Sequence, residues 1–170
     1  MSRIPVTLDP FLPRALNQRW EGELGGDELP RVRAAALEGS PISVRVGLTV
    51  VRGALGEIRL QGALTGEIEL QCQRCLQPMT WRFSLEPDVV LVDPAGPSPA
   101  LGDDQEVLEL GPEGQLRPAE FVEEEILLAL PLAPRHQDCR ARLPHEFEAG
   151  GGDRDAENPF AVLRELRKNR

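Results

Sequence analysis

Three cysteines and two histidines are the scarcest reactive residues of this 170-residue chain, and four of the five fall into two short pairs. Cys72 and Cys75, in "LQCQRCLQP", stand as C-x2-C. His136 and Cys139, in "PLAPRHQDC", stand as H-x2-C. Three thiolates and one neutral imidazole match a tetrahedral Cys3His site, so Cys72, Cys75, His136 and Cys139 are candidate ligands and Zn2+ the candidate cofactor. The two pairs are far apart in sequence, so a metal would staple two distant segments. Closing that loop costs roughly 4 kcal/mol, less than the roughly 10–16 kcal/mol of structural zinc binding in small peptides. Two other readings stay open: a redox dithiol at Cys72 and Cys75, or a strand end and a loop that hold no metal.

Sharper catalytic readings fail on the residues themselves. A thioredoxin-type dithiol sits at a helix N-terminus, where its thiol pKa is lowered, whereas Gln73 and Arg74 continue out of a strand-like run and Pro78 soon follows. A zinc deaminase needs H-x-E and P-C-x-x-C. Here Glu146 follows His145 one place too early, and Gln71 stands where the proline belongs. No nucleophile elbow, P-loop or dinucleotide fingerprint occurs. With His136 engaged, His145 alone remains as an obvious general base, and the chain is expected not to be an enzyme.

Charge limits the partners. The formal net charge is −9, the wrong sign for a general nucleic-acid binder, which releases counterions through a positive field. Contact with RNA would need a local basic patch or a protein intermediary. The start, "MSRIPVTLDP", carries no apolar run of signal-peptide length, and no segment approaches the ~20 apolar residues that span a bilayer. A cytoplasmic location follows as an expectation. Reduced thiols go with it.

The elements that must position the two pairs can be read from periodicity. Residues 10–39 read as helical with interruptions: a short helix in "PFLPRALNQRW", then a clearer one in "DELPRVRAAALEG" with Asp27 as cap, Pro30 near its start and Gly39 after its last turn. From Ile42 the period changes to two. Val44, Val46, Leu48 and Val50, then Ile58, Leu60, Leu64, Ile68 and Leu70, then Met79, Trp81, Phe83 and Leu85 alternate with polar residues. A break falls at Pro87, a further strand follows, and "EVLEL" returns as another. Strands this closely spaced leave no room for crossover helices. The expected class is α+β: an antiparallel sheet or small barrel of about five or six strands with flanking helices. Residues 1–139 would form one domain, with a β core over 42–110 and an acidic helix over 118–130, begun by Pro118 and carrying Glu120, Glu123, Glu124 and Glu125 near its positive end. Residues 140–170 read as a flexible linker and a short basic helix, capped at Asn158 and Pro159, with Phe160, Leu163 and Leu166 on one side and Arg164, Arg167, Lys168 and Arg170 on the others.

"PVTLDP", "LQCQRCLQPMT", "VEEEILLALPLAPRHQDC" and "NPFAVLRELRK", in this order and spacing, resemble the YceD family of large ribosomal RNA subunit accumulation proteins. The resemblance runs from about Val6 to Lys168. It implies a non-enzymatic factor needed for normal accumulation of 23S rRNA, acting on large-subunit rRNA or a pre-ribosomal particle, directly or through a ribosomal or assembly protein. The positions that match the family's motifs are Cys72, Arg74 and Cys75; Glu124, Glu125, Leu130, Pro131, Pro134, His136 and Cys139; and Asn158, Pro159, Phe160 and Leu163. Members differ in the spacing from the histidine to the following cysteine, so the short H-x2-C spacing here says little about metal binding in the family as a whole. Arg74, Glu124, Glu125, Asn158, Pro159, Phe160, Arg164, Arg167 and Lys168 are candidate contacts for RNA or a partner. A protein-interaction module held by zinc, with no rRNA role, is the competing expectation.

Overall fold

A computed structural model of the chain describes residues 3–96 and 105–139. It is an α+β structure: six strands form one open sheet and two helices cover one of its faces. In chain order the elements are β1 (Arg19–Gly25), α1 (Pro30–Ala35), β2 (Ser43–Arg52), β3 (Ile58–Gln71), β4 (Pro78–Leu85), β5 (Asp88–Val92), β6 (Val107–Glu109) and α2 (Pro118–Ala129). The strand order is β1-β2-β3-β5-β6, with β4 also paired to β3.

The period-two pattern explains the sheet's sidedness, since alternate side chains of a strand point to opposite faces. Val44, Val46, Leu48 and Val50 of β2 lie beside Leu60, Leu64 and Ile68 of β3 in one buried layer. Leu29 and Val32 around α1 and Phe121, Val122 and Ile126 of α2 close over it. The opposite face carries Arg45, Thr65, Glu67 and Glu69.

β3 is long enough to serve two partners along one edge. β4 pairs with Leu64–Gln71 and β5 with Arg59–Gln61. The change-over falls at Pro87, which cannot donate to a ladder. Its carbonyl accepts the Gly62 N–H at 2.8 Å. A Cβ on Gly62 would lie 2.7 Å from Pro87 Cγ, so only glycine fits this corner without a shift of the neighbouring chain.

Two expectations need correction. Residues 10–39 are not mainly helical: 11–18 are turns, Arg19–Gly25 is strand β1 paired antiparallel to β2, and α1 is only six residues long. Trp20 and Leu24, the buried pair of β1, are four apart, a spacing that fits either a helix face or alternate positions of a strand; pairing with β2 decides for the strand. Asp27 does not cap α1; its carboxylate pairs with Arg33 at 2.7 Å and the N-cap is Leu29. The sheet itself is as expected in class and strand number, and all its pairings but one are antiparallel. β5 and β6 run parallel, and the sheet is open.

The real cap of α1 comes from α2. Glu123, buried on the face that also carries Val122 and Ile126, accepts the Arg31 and Val32 amides at 2.6 and 3.2 Å, and Arg31 Nε at 2.7 Å. Burial pushes its carboxyl up, but the Arg31 guanidinium and the two amides outweigh that and hold it below the usual value. α2 otherwise starts at Pro118 as its sequence indicates. The linker and basic helix expected over 140–170 lie outside the described residues.

Candidate metal centre

The β3–β4 hairpin builds the first half of the site. Cys72 N–H donates to Gln77 O at 3.0 Å and Leu76 N–H to Cys72 O at 2.9 Å. Leu76, at φ +60, supplies the left-handed step that turns the chain back, uncommon for a non-glycine residue. The tight loop aims its own amides at sulfur: those of Arg74 and Cys75 at Cys72 Sγ, and that of Gln77 at Cys75 Sγ.

The second half is a strap, residues 131–139, that leaves the end of α2. Gln73 N–H donates to Pro134 O at 2.8 Å, Arg74 Nη1 to Cys139 O at 3.0 Å, and His136 Nε2 to Pro78 O at 2.9 Å. These contacts bring Cys72, Cys75, His136 and Cys139 together, with their donor atoms all within 4.8 Å of one another.

The geometry fits one tetrahedral ion. Bond lengths of ~2.3 Å to sulfur and ~2.0 Å to nitrogen give tetrahedron edges of roughly 3.8 Å between sulfurs and 3.5 Å from sulfur to nitrogen. Cys72 Sγ lies 3.9 Å from Cys139 Sγ, and Cys75 Sγ 3.4 Å from His136 Nδ1. A disulfide needs ~2.05 Å, and all three cysteines are free.

The protonation pattern suits the same role. Burial pushes the Cys72 thiol up, but the amides of Cys75, Arg74 and His136 outweigh it and bring the group to about 5, so Cys72 is a thiolate at neutral pH. The Gln77 amide pulls Cys75 down, but burial and the neighbouring Cys72 and Cys139 sulfurs leave it above its ordinary value. His136 is raised, first by donating to the Pro78 carbonyl and then by the Cys139 and Cys72 sulfurs. When neutral, the ring keeps its proton on Nε2 for Pro78 and turns the Nδ1 lone pair to the cluster, as an outer carbonyl does for a metal-bound histidine. The arrangement can hold one metal ion.

The other candidate positions are dispersed. Arg74 sits at the hairpin. Glu124 is exposed on α2, beside a groove of about 500 Å³ that Glu109, Glu113 and Glu120 also line. Glu125 is half-buried, its carboxyl raised by burial and then by repulsion from Glu106 and Glu124. Asn158, Pro159, Phe160, Arg164, Arg167 and Lys168 lie outside the described residues. Sequence reasoning missed Glu123; its helical phase between Val122 and Ile126 was the available signal.

Fold and site define a one-sided α+β scaffold with a metal-competent clip at the end of its β3–β4 hairpin. Among the described residues no helix is long and apolar enough to cross a membrane. The sequence pattern described as large ribosomal RNA subunit accumulation protein YceD matches residues 60–167, and the chain belongs to that family. A Haemophilus influenzae protein bearing the same description is 25% identical over 174 aligned residues, which cover 98% of this chain and 97% of that protein. No solved structure matches.

Proposed function

We propose that this protein is a non-enzymatic factor that sustains accumulation of 23S rRNA in the cytoplasm, acting on the large-subunit rRNA or its pre-ribosomal particle. Membership of the YceD family is the observation that carries this reading. Its Cys3His cluster holds Zn2+ as a structural clip: the donor set saturates a tetrahedral ion and leaves no position for a reacting ligand. The acidic groove beside Glu120 and Glu124 offers a face of the right sign for a basic ribosomal protein, as charge complementarity requires.

The test is the ratio of large- to small-subunit rRNA in cells lacking the protein. A selective fall, restored by the wild-type gene, is expected. Restoration by the Cys72→Ser/Cys75→Ser variant as well would make the clip dispensable for function. An unchanged ratio in the deleted strain would exclude the rRNA role and leave an interaction module held by zinc.

A further inference from the structure

The strap and β4 enclose a second groove, of about 710 Å³, whose chemistry runs against the charge of the protein. Met79, Trp81 and Arg82 line it from β4, and Pro134, Arg135 and His136 from the strap; no carboxylate lines it. In a chain of net charge −9 this is a local inversion of sign. Among the described residues β4 pairs only with β3, so the groove runs along an otherwise unpaired strand edge. That places side chains from both faces of β4, Trp81 from one and Arg82 from the other, on its wall.

We infer that this groove is a contact site for single-stranded RNA. The inference rests on the ribosomal reading above and deepens it to direct contact with the nucleic acid. Arg82 and Arg135 stand on opposite banks, one on the strand and one on the strap, as cations for successive phosphates. Trp81 is half-buried and stacks on Phe83 with ring centroids 4.9 Å apart; its indole forms part of the wall, an aromatic group on which any base can stack. Backbone amides and the Gln137 and Thr80 side chains, also in the lining, supply neutral hydrogen-bonding groups.

Negative charges beside the groove must be reckoned with, including the exposed Glu69 across from Thr80 and Asp138 next to Gln137. Glu67 pairs with Arg82 at 3.1 Å, but both side chains are largely exposed. Such surface pairs hold weakly and exchange readily for a phosphate. A zinc ion with three thiolates carries one net negative charge, and Arg74, bonded to the Cys139 carbonyl, brings the cation that offsets it.

Fluorescence anisotropy of the zinc-loaded full chain with a labelled oligouridylate tests the site. The wild type should bind at low salt and quench Trp81 emission. The Arg82→Ala/Arg135→Ala variant should bind at least about tenfold more weakly, and its salt dependence should be shallower by about 1.4, or ~0.7 per lost phosphate contact on a single strand. Trp81→Phe should abolish the quenching while the buried Trp20 still emits. Both arginines are exposed, so thermal melts of the double variant should overlay the wild type. Absence of wild-type binding, or an unchanged affinity and salt slope in the double variant, would overturn the inference. So would an oligoglutamate peptide that binds through the same two arginines while oligouridylate does not, which would make the groove a protein site. In cells, a double variant that has lost oligouridylate binding but keeps normal large-subunit rRNA would refute the groove's part and leave the ribosomal reading standing. Normal rRNA in the deleted strain would refute that reading whatever the groove binds.

Discussion

Removing the metal from Cys72, Cys75, His136 and Cys139 should release the strap and leave the sheet folded. Apart from the contacts to the cysteine sulfurs and the metal they hold, three hydrogen bonds tie the strap to the hairpin: Gln73 to Pro134, His136 to Pro78 and Arg74 to Cys139. At about 1 kcal/mol net each they contribute about 3 kcal/mol. Ordering a segment of about nine residues costs at least about 9 kcal/mol. The deficit of about 6 kcal/mol lies below the roughly 10–16 kcal/mol of structural zinc sites, so the strap docks with metal and frays without it. The cross-link joins residues 61 apart, for which the chain-entropy relation gives about 4 kcal/mol of stabilisation. At 2–4 °C per kcal/mol for a chain of this size, Tm should fall by roughly 8–16 °C on chelation. The assay is a thermal melt of zinc-loaded and chelated protein, paired with hydrogen exchange. The Gln73 amide, bonded to the strap, should lose protection, while the Cys72 amide, bonded within the hairpin to Gln77, should keep it. Melts that coincide within about 2 °C, with Gln73 equally protected in both samples, would refute the reasoning.

Metal affinity should rise with pH through neutrality, because Cys75 and His136, both raised above their ordinary values, must give up protons to bind, while Cys72 at about 5 has already lost its own; zinc titrations against a competing chelator at pH 6 and 8 would show it. Glu123→Ala should cost about 3 kcal/mol in urea unfolding at pH 7, since it strips a buried carboxylate from Arg31 and leaves two amides without their acceptor. Because the Glu123 carboxyl is held below its ordinary value, that stabilisation is complete above about pH 4.3 and is lost as pH falls through the folded-state pKa; the difference between variant and wild type should shrink in acid. Gly62→Ala should cost roughly 1–3 kcal/mol by forcing its Cβ against Pro87, visible as a lower Tm.

What the sequence disclosed, it disclosed through periodicity and pairing of rare residues. Val44 to Val50 and Met79 to Leu85 alternate without exception, and a strand with one buried face is the structure that such alternation serves. Pro118 and the apolar residues at 122 and 126 likewise mark α2. β1 was hidden because Trp20 and Leu24 are its only buried apolar residues, and the position between them is Gly22, whose missing side chain leaves room for Ile4. Glu123 was hidden for a different reason. It sits in a run of three glutamates, and only a partner 92 positions away separates it from its neighbours. The two Cys/His pairs could be named from spacing, but their convergence depends on Leu76 turning the hairpin and on Pro134 meeting Gln73, neither of which spacing reveals.

α2 and the strap form one continuous segment with two kinds of anchor. Toward the N-terminal side Glu123 holds α2 to α1, and at the far end His136 and Cys139 meet the hairpin. The two grooves divide along the same line: the acidic one lies beside Glu120 and Glu124, next to the Glu123 anchor, and the cationic one depends on the strap for a whole wall. Losing the metal should therefore not affect them equally. The strap's wall goes with the clip, and oligouridylate affinity with it. The acidic groove remains, because its helix is still pinned by Glu123 and by Phe121, Val122 and Ile126 in the core. Glu123→Ala should do the reverse, loosening α2 against α1 while the clip still grips the strap. Hydrogen exchange on the two forms separates these cases: amides of α2 should stay protected in chelated wild type and open in zinc-loaded Glu123→Ala. Joint loss of α2 and strap protection on chelation would mean that the segment moves as a single unit and that the two anchors are not independent.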